Sequence, residues 1–157
     1  MIISGLRIEK VMKTTIRHWA FAIIAWASFI ISFFLPAFGK IPGWKAAIIA
    51  SSSWQQAMHG NLLAIHFLLL TFANPLILVS PFFLAGGARD VRFVKCLRGL
   101  SLAATVLVWL FLAWPLAAHM GDELGIGYYL WASSFLFLSV ASFLQPNPSR
   151  PAAVQTT

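Results

Sequence analysis

Ionisable side chains that can bind metals gather near one end of the predicted helices. His59 and His66 are seven residues apart, so on one helix they share a face two turns apart. His119 follows the third apolar run and stands close to Asp122 and Glu123. Imidazoles and carboxylates are ligands of zinc and copper, and a His66–His119 pair is a ligand set for haem iron. The sequence therefore offers a candidate metal site at His59, His66 and His119.

The competing interpretation of these histidines is structural. Histidine is amphipathic and is an ordinary residue at the end of a membrane helix, and no HxxxH or HExxH motif is present. On this interpretation the protein has no cofactor, which is our expectation; a metal or a haem is the alternative. Whether the three imidazoles converge is the question that a structure has to answer.

A second candidate site lies inside the second apolar run. Asn74 and Pro75 stand near its centre, and Pro81 follows six residues later. Proline removes a backbone donor and strains the preceding turn, so Asn74 can bond a freed carbonyl or a neighbouring helix. One interpretation is an interrupted helix that lines a small transport site. The other is a structural kink with a polar clamp.

The fourth apolar run has a surface of small residues. Part of its circumference carries the small side chains of Ser133, Ser134, Ser139 and Ser142. Small residues let membrane helices approach closely. We interpret these serines as a packing face inside the bundle, with a partner protein or a second copy of the chain as the alternative.

The motifs of several enzyme classes are missing from the sequence. It contains no GxSxG nucleophile turn and no phosphate-binding glycine loop, and no acidic residue lies inside any apolar run. A carrier that uses a membrane carboxylate is therefore disfavoured. The one cysteine, Cys96, excludes an intramolecular disulfide. These absences favour a protein that is not an enzyme.

Four long apolar runs determine the predicted fold. Residues 19–38, 62–84, 100–118 and 128–144 contain no Asp, Glu, Lys or Arg. A chain of 157 residues that is 60% hydrophobic, with a mean hydropathy of +0.83, cannot bury its apolar surface in one small soluble core. Each run is close to the roughly 17–25 residues that a spanning helix needs. We predict an all-α membrane protein with four transmembrane helices in one antiparallel bundle.

Positive charge predicts the orientation of that bundle. Nine of the eleven Lys and Arg residues fall on one side of the apolar runs, and only Lys40 and Lys45 fall on the other. The positive-inside rule then places a basic N-terminus (1–17) and a proline-rich, disordered tail (145–157) in the cytoplasm. Because the charges flank membrane spans, we expect them to meet lipid headgroups and not nucleic acid.

The longest predicted outer segment, residues 39–61, has a helical pattern after Pro42 and Gly43. Trp44, Ile48 and Trp54 fall on one face at 3.6-residue spacing, whereas Lys45 lies on the opposite face. This pattern predicts a short amphipathic helix in the outer interface, with its tryptophans at headgroup level. The alternative is an irregular loop.

Several short stretches resemble a broad set of uncharacterised small bacterial inner-membrane proteins with four spans. The resemblance rests on the stretches Ser32-Phe33-Phe34-Leu35-Pro36-Ala37, Gly43-Trp44, Ala73-Asn74-Pro75 and Gly127-Tyr128-Tyr129-Leu130-Trp131. It implies a four-helix fold in a bacterial inner membrane, and it implies no activity.

The functional hypothesis from the sequence is a small membrane protein that acts through helix–helix contacts. Such a protein is an accessory subunit, a scaffold or an immunity-type factor. Its partners are the bilayer and a membrane protein or a second copy of itself. Two alternatives remain: a metal or small-molecule site at His59, His66 and His119, and a small transporter around Asn74 and Pro75.

Overall fold

Four long helices, two short helices and a short hairpin make up the described part of the chain. The computed structural model describes residues 3–86, 90–117 and 124–145, without the side chains of residues 3–15, 62–63, 66 and 114–117. The elements in chain order are α1 (Ile3–Phe34), β1 (Pro36–Phe38), β2 (Ile41–Pro42), α2 (Gly43–Ser52), α3 (Trp54–Met58), α4 (Leu62–Gly86), α5 (Val91–Ala117) and α6 (Ile126–Leu144). Four helices, α1, α4, α5 and α6, are long and apolar enough to cross a membrane, which confirms the four predicted apolar helices.

The first apolar run ends its helix earlier than predicted. α1 stops at Phe34, and residues 36–38 form β1 instead of a last helical turn. Pro36 has no N–H to donate, and it disfavours helical geometry at the residue before it. The chain then reverses through Gly39, whose φ of +53° suits glycine, and β2 pairs antiparallel with β1. We call this end of the long helices the hairpin end.

The third spanning helix begins nine residues before the third apolar run, inside the basic segment that precedes it. α5 begins at Val91, and it carries Arg92, Lys95 and Arg98 on its first turns. Asp90 stabilises the start of this helix because its carboxylate accepts the Arg92 N–H at 2.8 Å.

The segment after the hairpin is two helices and not one. α2 ends at Ser52 and α3 starts at Trp54, and neither helix has a buried residue. The hydroxyls of Ser52 and Ser53 both bond back to the Ile49 carbonyl. Such bonds compete with the helical ladder and bend helices, which explains the break at Ser53.

Helix α6 occupies the centre of the packing. It contacts both α1 and α5, and α4 packs mainly on α5. Its residues Ala132, Phe135 and Leu138 have no exposed surface. The large apolar side chains of α1, α4 and α5 that point away from this core are exposed, as Phe72 and Phe82 are in α4. An apolar outer surface of this kind fits a lipid environment.

The serines of α6 bond to α5 through their hydroxyls. Ser139 Oγ lies 2.8 Å from Thr105 Oγ1, and Ser142 Oγ lies 3.1 Å from Ser101 Oγ. Ser134 is fully buried and donates to a carbonyl of its own helix, whereas Ser133 is half-buried. Two of the four predicted small-residue positions therefore meet α5.

Arg98 closes the C-terminal end of α6. Its Nε donates to the Ser142 carbonyl at 2.9 Å, and its Nη2 donates to the Gln145 carbonyl at 2.8 Å. The last carbonyls of a helix lack helical partners and carry the negative end of the macrodipole, so a guanidinium there is favourable. Gln145 Nε2 in turn donates to the Leu84 carbonyl of α4 at 2.8 Å.

Candidate binding cavity at the hairpin end

A cavity of about 80 Å³ lies at the hairpin end, between α2 and the long helices. Residues from α1, β1, α2, α4, α5 and α6 line it. Six of these residues are aromatic: Phe33, Phe38, Phe67, Phe111, Tyr128 and Trp131. The rings of Phe67 and Phe111 meet edge to face at 5.4 Å between centroids, as do those of Phe38 and Tyr128. The wall is therefore mainly apolar and shaped by packed rings.

Helix α2 covers one side of the cavity with small side chains. Ala46, Ala47 and Ala50 line it, and all three are half-buried. The start of α2 is fixed close to the end of α1, because the Gly43 N–H donates to the Leu35 carbonyl at 2.9 Å. A Cβ on Gly43 would lie 2.2 Å from the Ser32 carbonyl oxygen, so glycine is required for this approach.

The start of α6 forms another wall of the cavity through a similar close approach. The Gly125 N–H donates to the Ala37 carbonyl at 2.9 Å, which joins α6 to β1. A Cβ on Gly127 would stand 2.7 Å from the Leu35 carbonyl oxygen. These two glycines let the helix begin against the hairpin, and they bring Tyr128 to the cavity.

Asn74 is the polar side chain of α4 at the cavity. Its Oδ1 accepts the indole N–H of Trp131 at 2.8 Å, which joins α4 to α6. Since an indole nitrogen can only donate, the amide oxygen faces Trp131 and the amide NH₂ of Asn74 is the remaining donor group. Asn74 is half-buried and lines the cavity.

Pro75 changes the hydrogen bonding of the backbone beside Asn74. The helix is continuous through Pro75 and Pro81, but Pro75 has no N–H to give to the carbonyl of Thr71. The Thr71 hydroxyl donates to the Phe67 carbonyl at 3.0 Å, and Thr71 itself lines the cavity. Its carbonyl lacks the helical partner that an ordinary residue at position 75 would provide.

Tyr128 contributes a hydroxyl without a partner. The side chain is only 4% exposed, and its hydroxyl makes no hydrogen bond to any residue that the structure describes. A buried polar group left unpaired costs about 1–3 kcal/mol. Tyr128 lines the cavity, but its hydroxyl is buried behind the wall and has almost no accessible surface.

The cavity thus combines an aromatic wall with a few polar lining residues: Ser32, Thr71, Asn74 and Tyr128. The Asn74 oxygen and the Thr71 hydroxyl both have partners within the protein. None of the lining side chains that the structure describes is charged. Such an arrangement suits the binding of a small neutral molecule.

The second proline of α4 stands in contrast to the first. Ser80, which precedes Pro81, is fully buried and accepts the indole N–H of Trp26 at 2.9 Å. Its own hydroxyl donates to the Ile77 carbonyl at 2.7 Å, and this is the carbonyl that Pro81 deprives of a helical partner. Every polar group of this site is paired, so it is a structural contact between α1 and α4.

The predicted histidine site falls largely outside the described residues. His59 is exposed and ends α3, whereas His66 belongs to α4 at the hairpin end with its side chain undescribed. His119, Asp122 and Glu123 lie outside the described ranges. Among the side chains that are described, no three His, Cys, Asp or Glu groups come close enough to share a metal ion. The metal hypothesis stays a prediction.

The sequence analysis missed several residues of these sites. Trp26, Trp131 and Tyr128 had no assigned role, and Ser80 was not singled out. The Ser80-Pro81 pair repeats the polar-residue–proline pattern of Asn74-Pro75, so that pattern was a usable signal. The position of Tyr128 had no such signal, because it depends on how closely α6 approaches the hairpin.

Comparisons of the chain with protein-family models, with curated proteins and with solved structures give no match. The resemblance to small four-span bacterial proteins therefore stays a prediction.

Proposed function

We propose that the chain is a multi-pass protein of a bacterial inner membrane that binds a small neutral molecule in the cavity at its hairpin end. The observation that supports binding is an aromatic cavity of about 80 Å³ at the point where the half-buried Asn74 joins α4 to α6. In this proposal the four spanning helices form an antiparallel bundle with both termini in the cytoplasm. The hairpin end faces outward, and α2 and α3 lie in the outer interface.

Contacts at the two ends of the long helices support the antiparallel arrangement. The start of α6 meets the hairpin that follows α1, through Gly125 and Ala37. Its last turn meets the start of α5 through Arg98, and Gln145 meets the end of α4. These contacts fit α1 and α5 running opposite to α4 and α6. The exposed Trp44 and Ile48 of α2 fit an interfacial helix.

Two cysteine positions test the orientation. Cys96 is exposed near the start of α5, at the end that we assign to the cytoplasm. A membrane-impermeant maleimide should label it only after permeabilisation of the cells. A Lys45→Cys variant in a Cys96→Ser background should be labelled in intact cells. The reverse pattern would invert the proposed topology.

A cavity-filling variant tests the binding function. In Ala47→Phe the new ring occupies the cavity, whereas Ala103→Phe places the same ring at an exposed position of α5. Both proteins are purified in lipid nanodiscs and released for native mass spectrometry. We expect wild type and Ala103→Phe to carry the same small adduct, and Ala47→Phe to have lost it. Identical spectra for all three proteins would contradict the proposal.

A second candidate function is the accessory role through helix–helix contacts, which one feature of α6 favours. Tyr129, Leu136 and Phe143 are exposed at seven-residue intervals along the otherwise most buried spanning helix. This spacing forms the seam of a helix pair. Crosslinking from Leu136→Cys in membranes tests it against Leu102→Cys on α5; equal capture at both positions would contradict a specific seam.

A further inference from the structure

We propose that an anionic phospholipid of the membrane binds to the outer face of α5. Its phosphate group contacts Arg92 and Lys95, and an acyl chain follows Gly99, Ala103 and Val106. We call these five residues the α5 lipid surface. It begins at the end of the long helices opposite the hairpin end, where α5 starts beside the end of α6. The inference rests on the membrane location in the proposed function, and it is independent of the cavity.

Arg92 and Lys95 present two positive charges on one face of α5. They are three residues apart, so they are neighbours on the helix surface, and both are exposed. Arg98 follows at the same spacing, but its Nε and Nη2 donate to carbonyls at the end of α6. Arg98 is therefore a structural cation, whereas Arg92 and Lys95 are exposed cations that a ligand can contact.

Positive charge exceeds negative charge at this end of the helices. Nine Lys and Arg residues flank the apolar runs on this side, against two carboxylates, those of Glu9 and Asp90. The count covers the whole chain, so the excess does not depend on where individual side chains lie. Asp90 is also engaged by the backbone, since its carboxylate accepts the Arg92 N–H at 2.8 Å. An anionic ligand therefore complements the start of α5.

The height of the two cations along α5 matches the headgroup layer of a bilayer. Lys95 precedes Leu100, the first residue of the apolar run, by five residues, and Arg92 precedes it by eight. At a rise of about 1.5 Å per residue these separations are about 8 and 12 Å. The headgroup layer is about 5–8 Å thick on each side of the hydrocarbon core, and long basic side chains bend toward it. Their charged groups can therefore meet lipid phosphates.

The face of α5 below the two cations has room for an acyl chain. Gly99 and Ala103 are exposed on this face, and a Cβ on Gly99 would have no neighbour within 4 Å. Val106 and Leu110 continue the same face and are 50% and 63% exposed. Small side chains beside larger apolar ones leave a shallow surface against which a chain can pack.

This continuity of charged and apolar surface favours a phospholipid over a free phosphate ion or a soluble acidic protein. A phosphate ion uses the two cations but not the apolar face below them. A soluble protein cannot follow α5 past Leu100, because that part of the helix belongs to an apolar span. A phospholipid has an anionic group and an apolar chain in the order that the α5 lipid surface requires.

Paired charge variants test the assignment to α5. Full-length protein in detergent micelles is titrated with phosphatidylglycerol or with phosphatidylcholine of the same acyl chains, and bound lipid is measured by native mass spectrometry. One basic residue near an anionic lipid changes affinity about fivefold, so we expect wild type to prefer phosphatidylglycerol about 20-fold. Arg92→Gln/Lys95→Gln should lose this preference. Lys40→Gln/Lys45→Gln removes two exposed cations at the hairpin end and should match wild type.

A second pair of variants and one competitor identify the source of the phosphate. Gly99→Phe places a ring on the α5 lipid surface, whereas Leu100→Phe changes the next residue, which faces about 100° away around the helix. Gly99→Phe should weaken phosphatidylglycerol binding, and Leu100→Phe should not. Inorganic phosphate at a large molar excess should leave the bound lipid in place.

Four results would overturn the proposal. They are equal binding of the two lipids to wild type, equal loss of preference in the two double variants, unchanged binding in Gly99→Phe, and displacement of the lipid by inorganic phosphate. The last result would make the start of α5 a site for a free anion. None of them bears on the membrane location, which the cysteine labelling tests, or on the cavity, which Ala47→Phe tests.

Discussion

The two prolines of α4, Pro75 and Pro81, stand six residues apart, and they differ in whether they lie beside a cavity or in packed structure. Each follows a polar residue, and each polar residue accepts an indole N–H from a neighbouring helix: Asn74 from Trp131 and Ser80 from Trp26. At Pro81 the Ser80 hydroxyl also donates to the Ile77 carbonyl, which the proline leaves without a backbone donor. At Pro75 the corresponding residues, Thr71 and Asn74, both line the cavity.

The difference shows how one local motif serves two purposes. A serine is short enough to bond its own backbone, so it closes the gap that a proline makes in a helix. An asparagine is longer, and here its oxygen reaches Trp131 on the neighbouring helix while the residue itself lines the cavity. The Pro81 site is therefore structural, whereas the Pro75 site lies at the cavity.

The largest expected effect is at the closed site. Ser80→Ala removes a hydroxyl and leaves both the Trp26 indole N–H and the Ile77 carbonyl without partners. Because both groups lie inside the packed helices, we expect the free energy of unfolding to fall by about 2 kcal/mol. Equilibrium unfolding in mixed micelles of a mild detergent and dodecyl sulfate measures it.

Ser134→Ala is the matched control for that variant. Ser134 is equally buried, but its hydroxyl donates to the Trp131 carbonyl of its own helix at 2.6 Å. Its loss should cost about 0.5 kcal/mol, since no bond between helices is broken. Equal losses in the two variants would remove the distinction that we draw for Ser80.

A smaller effect is expected at the open site. Asn74→Leu keeps the side-chain volume nearly constant and breaks the one bond to Trp131. Hydrogen bonds between membrane helices contribute about 0.6 kcal/mol on average, and we expect a loss near that value. Trp131 is only half-buried, which limits the penalty. A loss as large as that of Ser80→Ala would show that the open site is equally structural.

The sequence predicts the long helices well, because a charge-free apolar run long enough to span a bilayer must pair its backbone groups internally, which a helix does. It does not predict the hairpin, which depends on the contact between the start of α6 and residues 35–37. The helical start of α5 was not predicted because the apolar run begins only at residue 100, after Arg98, and the bond from Arg98 to the end of α6 has no signal in the sequence. Asn74 was identified from the sequence because a polar residue is conspicuous in an apolar run. Tyr128 was not identified, because the burial of its hydroxyl depends on how the helices pack.

The smallest effect has the opposite sign. Tyr128→Phe deletes a buried hydroxyl that has no partner among the described residues, so the protein should gain up to about 0.5 kcal/mol of stability. Unfolding is measured beside Tyr129→Phe, which removes the hydroxyl of the exposed neighbour and should leave the stability unchanged. A loss of stability in Tyr128→Phe alone would show that the hydroxyl has a partner. It would also remove the contrast between the fully paired groups around Pro81 and the unpaired group beside the cavity.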